Sequence, residues 1–317
     1  MLSLIAKAAT TAANFQQPTL YYGSAREGFA DALQALLTAD NRVVLLPAFI
    51  GWSPREGSGV FDPIGQVGAD PRFYALNPDL TVDLAALDRA LAAHKPRIVV
   101  VIHYFGRTDP QLAAIGELAR RHDAILVEDL AHGFFSASIG NKAGRVGDFS
   151  IFSLHKMFAA TSGGMVRYLQ PALVTSQRGT AADLASFITG YDWVEIAQRR
   201  RDNFMAVADH LGRSSVAQDH AELLWPTLDN ADVPQTLPVR LRDVDRDHVY
   251  HAMNADGFGM TSLYHTMISN VHDDFPAMMA LARSIINFPV HQDMQPHQAG
   301  ALVASFERGI IAGRCTA

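Results

Sequence analysis

A chain of 317 residues, 49% of them hydrophobic and 18% charged, is long enough to bury one large core or two unequal ones. Its formal net charge of −6 gives no electrostatic reason to expect nucleic acid or a membrane as partner, because both reward a basic face. The single cysteine, Cys315, excludes an internal disulfide and a cysteine-based metal site, and a reducing cytoplasm is the expected setting.

The opening MLSLIAKAATTAANF is apolar but broken by Lys7 and threonines, too short to span a bilayer, and reads as an arm or first helix rather than a signal. After Tyr21-Tyr22-Gly23, Phe29, Leu33, Leu36 and Leu37 recur at helical spacing, and Ser24 with Glu27 fits a capping box. The first-turn N–H groups around Ser24, Ala25 and Arg26 can hold a phosphate at the positive end of this helix; the plainer reading is that Ser24 only caps it. RVVLLPA, 42–48, is a continuous apolar run and so a buried parallel strand. A loop and short strand are expected over 56–72, a helix over 82–93, a buried strand over 97–104 and a helix over 111–122. His103, at a strand end, either approaches a site there or satisfies a hydrogen bond.

The stretch 125–168 organises the rest. A buried strand ends in Glu128-Asp129, a Gly-rich excursion follows, a second strand ends in Ser-Leu-His-Lys (153–156), and Gly163-Gly164 leads into a third strand. Open α/β sheets bind ligands beyond the carboxyl ends of their strands, so Asp129 and Lys156 are expected to face one crevice. Beyond 169 the periodicity weakens. A connecting helix is expected from Arg199, with Arg199, Arg200 and Arg201 on a solvated face. From 237 the pattern becomes strand LPVRL, helix 245–256, a Gly257 turn, helix 276–285, INFPVHQD and a last helix from Pro296. The expected architecture is α/β: a large domain, 1–195, whose mostly parallel sheet is covered by helices, and a smaller C-terminal α+β domain, 196–317. No tight ligand spacing among His103, His132, His155, His291 and His297 points to a metal.

VEDLAH, GD, FSLHK and GG, in this order, resemble the DegT-type (DegT/DnrJ/StrS) sugar aminotransferases, a branch of the fold-type I pyridoxal 5'-phosphate (PLP) enzymes related in fold to aspartate aminotransferase. INFPVHQD resembles a late segment of the same family. The resemblance implies that Lys156 holds PLP as a Schiff base, the internal aldimine, and then moves protons as general base and acid. It implies further that Asp129 pairs with the pyridine nitrogen, Ser153 contacts the phosphate and His132 lies near the phenolic oxygen. The family's ring-stacking aromatic falls on Gly51 here, so Trp52 is either its stand-in or a packing residue. His155 either touches phosphate or packs, and TGYDW, 189–193, stands where the family carries a G-x-N-x-R segment that reaches the partner subunit's phosphate. The expected activity is transfer of an amino group from a small-molecule donor to a keto acceptor, such as a nucleotide-linked sugar, by a homodimer. A PLP-dependent lyase or dehydratase, and a non-catalytic binding or regulatory protein on the same fold, are the alternatives.

Overall fold

Unbroken apolar runs such as IVVVI and the ILV that precedes Glu128 can be satisfied only where both faces of a sheet are covered, and the computed structural model places them there. It describes residues 17–174, 181, 183–261 and 263–314. The N-terminal arm and Cys315 lie outside these.

In chain order the first half comprises β1 (Thr19–Tyr22), α1 (Ala25–Leu36), β2 (Val43–Pro47), α2 (Asp62–Gln66), β3 (Asp70–Tyr74), α3 (Leu84–His94), β4 (Ile98–Ile102), α4 (Leu112–Arg121), β5 (Ile125–Asp129), α5 (Phe134–Ser138), β6 (Phe149–Ser153) and β7 (Gly164–Tyr168). These strands form one sheet in the order β1-β7-β6-β5-β4-β2-β3. Strands β3, β2, β4, β5 and β6 run parallel, while β7 and β1 close the edge antiparallel. Asp129 and Ser153 therefore end adjacent parallel strands, and Gly164 lies opposite both Ser153 and Tyr22.

The second half comprises α6 (Asp183–Thr189), α7 (Trp193–Arg213), α8 (Ser215–His220), β8 (Ala221–Leu223), β9 (Thr236–Leu241), α9 (Arg246–Ala255), α10 (Pro276–Ser284), β10 (Ile285–Pro289) and α11 (Ala299–Arg314). Its strands make a three-stranded antiparallel sheet, β10-β9-β8. Helix α7 joins the halves: Ile196 and Ala197 pack into a cluster with Phe134, Phe135 and Phe158, whereas Phe204, Val207 and Leu211 enter the core of the small sheet. The 195/196 division lies in its first turn.

Two expectations need correction here. Helix α7 starts at Trp193, not Arg199, because Asp192 caps it by accepting from the Glu195 N–H at 2.9 Å, and Trp193 is anchored by an Nε1–H bond to the Ile188 carbonyl at 2.6 Å. The three arginines are not one solvated face. Arg199 pairs with Glu195 at the surface, but Arg200 is 3% exposed, bonds Gln292 and the carbonyls of Pro234 and Gln235, and lies over the Phe135 ring. Arg201 bonds the Asp232 carbonyl at 2.9 Å. These charges have been spent on tying α7 to the segment before β9, where buried carbonyls would otherwise lack donors.

Candidate active site

Successive residues of a strand point to opposite faces, and at the end of β5 this separates the two acids. Glu128, 0% exposed, turns away from the crevice and accepts from His103 Nε2 at 2.9 Å and from the N–H groups of Gly144, Val146 and Gly147 at 2.6, 3.0 and 2.7 Å. His103 Nδ1 accepts from the Asp109 N–H at 3.1 Å, so His103 satisfies hydrogen bonds and does not line the pocket. Burial pushes the Glu128 carboxyl upward, but the His103 bond and the loop N–H groups outweigh it and leave the group below the ordinary glutamate range. Its stabilising contribution is therefore present above the unfolded-state pKa and is lost as pH falls through the lower folded value. Glu128→Ala strands three N–H groups and an imidazole. It is expected to cost about 3–5 kcal/mol, read as a lower urea midpoint near neutral pH, with the difference from wild type shrinking in acid.

Asp129 turns the other way, into a cavity of about 370 Å³ that it shares with Ser24, Ala25, Arg26, His132, Ser153, His155 and Lys156. It is 6% exposed, and its Oδ1 accepts from the Ala131 N–H at 2.8 Å, while no described residue bonds the other oxygen. Burial raises its pKa against the opposing pull of the Ala131 N–H and the Lys156 charge. An unbonded carboxylate oxygen at the wall of a cavity can take a cationic or N–H partner from a ligand.

Lys156 ends a 3₁₀ turn, Leu154–Lys156, that follows β6. The turn sits on the aromatic cluster containing Phe134, Phe152 and Phe158, with Leu154 and Met157 buried on either side. Burial lowers the Lys156 pKa, the charges of Asp129 and Glu56 oppose that, and Arg26 reinforces it. Its Nζ lies 3.1 Å from His132 Nε2. His132 is buried, and burial, to which Lys156 adds when it is charged, holds its pKa well below the usual imidazole value.

Helix α1 supplies the third wall. Ser24 caps it, with Oγ accepting from the Glu27 N–H at 3.2 Å, while Glu27 reaches back to the Gly23 N–H at 3.1 Å and does not line the cavity. The N–H groups of Ala25 and Arg26 have no intrahelical acceptor and border the pocket, as an anion site requires. Gly164 makes this approach possible: a Cβ there would overlap the Ser24 carbonyl and the Ala25 nitrogen. Arg26 bonds the Glu56 carbonyl and faces Asp62 at 3.8 Å, which ties the 53–62 loop over the helix start. Ser153 is buried, its Oγ 3.2 Å from His155 Nδ1. The three walls thus bring together an amine, a carboxylate with one unbonded oxygen and N–H groups without intrahelical acceptors, a set that could hold a phosphorylated aldehyde with a basic ring nitrogen.

Residues 21–181, just over half of the chain, match the model of the DegT/DnrJ/EryC1/StrS aminotransferase family. The chain belongs to this family. Among relatives, GDP-perosamine synthase of Caulobacter vibrioides is 32% identical over 105 residues, 32% of this chain and 25% of that protein. L-glutamine:2-deoxy-scyllo-inosose aminotransferase of Streptomyces kanamyceticus is 32% identical over 120 residues, 37% of this chain and 28% of that one. The matched segments thus span little more than a quarter of these relatives. The fold extends further: the aminotransferase TlmJ from Streptoalloteichus hindustanus superimposes with a TM-score of 0.72 at 21% identity, over 93% of this chain and 86% of that one. The mostly parallel sheet expected from the sequence is present, with seven strands, and is the fold-type I sheet of these DegT-type aminotransferases.

All eight residues singled out from the sequence border the one cavity, but Trp52 does so with 42% of its surface exposed. The space beside Gly51, where the family's aromatic would stand, is taken by Tyr264: a Cβ on Gly51 would lie 3.2 Å from the Tyr264 ring. The backbone brings Tyr264 there, because the Trp52 N–H bonds the Thr266 carbonyl at 2.9 Å and the Ile268 N–H bonds the Ile50 carbonyl at 3.1 Å. Tyr264, Ser58, Glu56 and Leu263 also line the cavity and escaped the sequence reading. Only the glycine at position 51, leaving a ring-sized gap, signalled that a distant aromatic would be needed.

Proposed function

We propose that the chain is a PLP-dependent aminotransferase that carries an amino group from a small-molecule donor to a keto group, with nucleotide-linked sugars as the acceptor class. The observation that carries this reading is a lysine amine of lowered pKa and a buried carboxylate with one unbonded oxygen facing the same cavity. PLP, once bound, supplies an electron sink for the carbon that gives up its proton.

The rest of the chemistry belongs to the chain. Ser24, Ser153 and the N–H groups of Ala25 and Arg26 bind the phosphate at the positive end of α1. The ionised Asp129 carboxylate favours a protonated ring nitrogen, which strengthens the sink. Lys156 Nζ would hold the cofactor's aldehyde, and as a free amine it would take and return the proton. The aromatic and aliphatic side chains beneath the turn take part of the Lys156 side chain out of water and so disfavour its charged form. The mention of a TDP-sugar product in one structural neighbour, DesI, whose TM-score is 0.76 at 19% identity, supports the acceptor class. We also propose a homodimer in the cytoplasm; among the described residues no helix is long and apolar enough to cross a membrane.

Adding PLP to purified protein is expected to produce a visible absorbance band that borohydride bleaches with mass added at Lys156. Glutamate is then expected to discharge the band while one equivalent of 2-oxoglutarate appears. Protein that takes up no PLP, or that consumes glutamate without forming the oxo acid, would overturn the proposal.

A further inference from the structure

The contact between His132 and Lys156 has a polarity that the surrounding backbone decides. His132 Nδ1 lies 3.3 Å from the Phe105 backbone nitrogen. A backbone N–H can only donate, so Nδ1 must present its lone pair, and a neutral imidazole then carries its hydrogen on Nε2. That hydrogen points at Lys156 Nζ, 3.1 Å away, and needs a lone pair to receive it. An ammonium has none. The opposite arrangement, an ammonium donating to Nε2, would put a hydrogen on Nδ1 against the Phe105 N–H.

The Phe105 turn cannot easily yield. Phe105 and Gly106 both have left-handed backbone, with φ of 53° and 90°. The Phe105 carbonyl accepts from the Gln235 N–H at 2.7 Å, and the Gly106 carbonyl accepts from Ser136 Oγ at 2.6 Å. A Cβ on Gly106 would overlap the Val233 carbonyl and lie 3.1 Å from the His132 carbonyl oxygen, so glycine is needed for both conformation and space. The Phe105 ring stacks on the imidazole with centroids 6.1 Å apart and planes 17° apart, and Tyr264 meets the imidazole edge-on at 6.0 Å and the Phe105 ring at 5.5 Å, so the three rings pack as a triangle. The imidazole is packed against both rings with one nitrogen on a fixed donor.

We propose that His132, fixed as its Nε2–H tautomer by the Phe105 N–H, donates to Lys156 Nζ and holds that lysine as a neutral amine before any aldehyde arrives. Capture of an aldehyde joins Nζ to the carbonyl carbon as a C=N bond. The oxygen leaves as water with the two amine hydrogens, and the attack needs the lone pair that an ammonium lacks. His132 is thus a catalytic residue for loading the lysine, and the Phe105 backbone is a positioning group acting through it. The other charged groups facing Nζ divide: Asp129 and Glu56 favour the ammonium, whereas Arg26 disfavours it. His155 faces Lys156, Glu56 and Arg26, and Asp129 also faces Tyr104 and Tyr264. With the carboxylates pulling toward the charged form, burial and a donor at 3.1 Å push toward the neutral one.

This inference rests on Lys156 being the cofactor lysine, and its test separates the two. In wild-type apoprotein with ¹⁵N-labelled histidine, the His132 ring is expected to show a bare Nδ1 and a protonated Nε2; a protonated Nδ1 overturns the proposal whether or not PLP binds. His132→Gln keeps the polarity, since its oxygen can accept from Phe105 while its NH₂ donates to Nζ. His132→Glu has nearly the same shape but presents only acceptors and should hold the ammonium. The Gln protein is expected to capture PLP at least about tenfold faster than the Glu protein at pH 7, with the pH profile of capture lying about one unit lower or more. Equal rates and profiles in the two variants overturn the proposal. Failure of wild type to take up PLP would overturn the functional reading, while the ring tautomer would still decide this one.

Discussion

Lys156→Ala is expected to lower amino transfer by at least about 10²–10⁴-fold, the range that a positioned acid–base group supplies. The true loss includes the covalent hold on the cofactor as well. The variant should still fold, because it removes a half-buried side chain whose charged form is penalised by burial and whose described hydrogen bond is the one to His132. It should also still bind PLP, through the N–H groups of α1 and through Asp129, but without the borohydride-stable adduct. Single-turnover mixing of the PLP-loaded variant with glutamate, followed by absorbance, checks the rate, and mass spectrometry checks the adduct. Wild-type turnover by this protein would remove Lys156 from the mechanism.

Gly164→Ala is expected to have the largest effect on the architecture of the site. The new methyl would overlap main-chain atoms of Ser24 and Ala25, not the flexible end of a side chain. Gly164 is also paired with Tyr22 on one side and Ser153 on the other, so β7 cannot retreat without breaking the edge of the sheet. Overpacking of a core costs about 1–3 kcal/mol when side chains can adjust; with backbone on both sides, about 3 kcal/mol or more is expected. Moving the first turn of α1 also withdraws the Ala25 and Arg26 N–H groups from the pocket. Urea unfolding should show the stability loss, and PLP titration should show affinity weakened by at least about tenfold, one lost charge-assisted hydrogen bond. Gly212→Ala is the internal comparison: that glycine lies in the last turn of α7 with nothing within 4 Å of an added Cβ, so alanine is expected to be neutral or to stabilise by about 0.5–1 kcal/mol. Equal behaviour of the two variants would contradict the close-approach argument.

Much of the site could be read along the chain because its central residues lie at the ends of apolar runs. ILVED and FSIFS are each buried along their whole length in the structure, and the apolar run that opens the first marked it as a buried strand. Lys156 and Asp129 stood out as polar residues where such runs stop, and Ser24 as a cap with helical spacing behind it. The Arg199–Arg201 run misled for the converse reason. Three adjacent arginines are usually solvated, and nothing local announces that carbonyls of Pro234, Gln235 and Asp232, more than thirty residues on by sequence, are waiting for donors. The start of α7 was missed because Asp192 and Glu195 signal a cap only once Trp193 is seen to be anchored on Ile188 and on the Phe134 ring, 5.1 Å away at 89°.

The order of buried runs, the residue types at their ends and the glycines between them determined, without any coordinates, that this chain builds a mostly parallel sheet with a lysine and a carboxylate at neighbouring strand ends. Those are properties of short stretches, and short-range periodicity encodes them. Which groups hold Glu128 out of the cavity, which aromatic fills the gap beside Gly51 and which nitrogen of His132 bears the hydrogen were decided only by the tertiary structure. Each depends on groups far apart in the chain: Glu128 on the loop of Gly144 to Gly147, Gly51 on Tyr264, and His132 on the Phe105 N–H. A hydrogen bond's direction and a ring's resting place are set by the partner, and the fold alone chooses the partner.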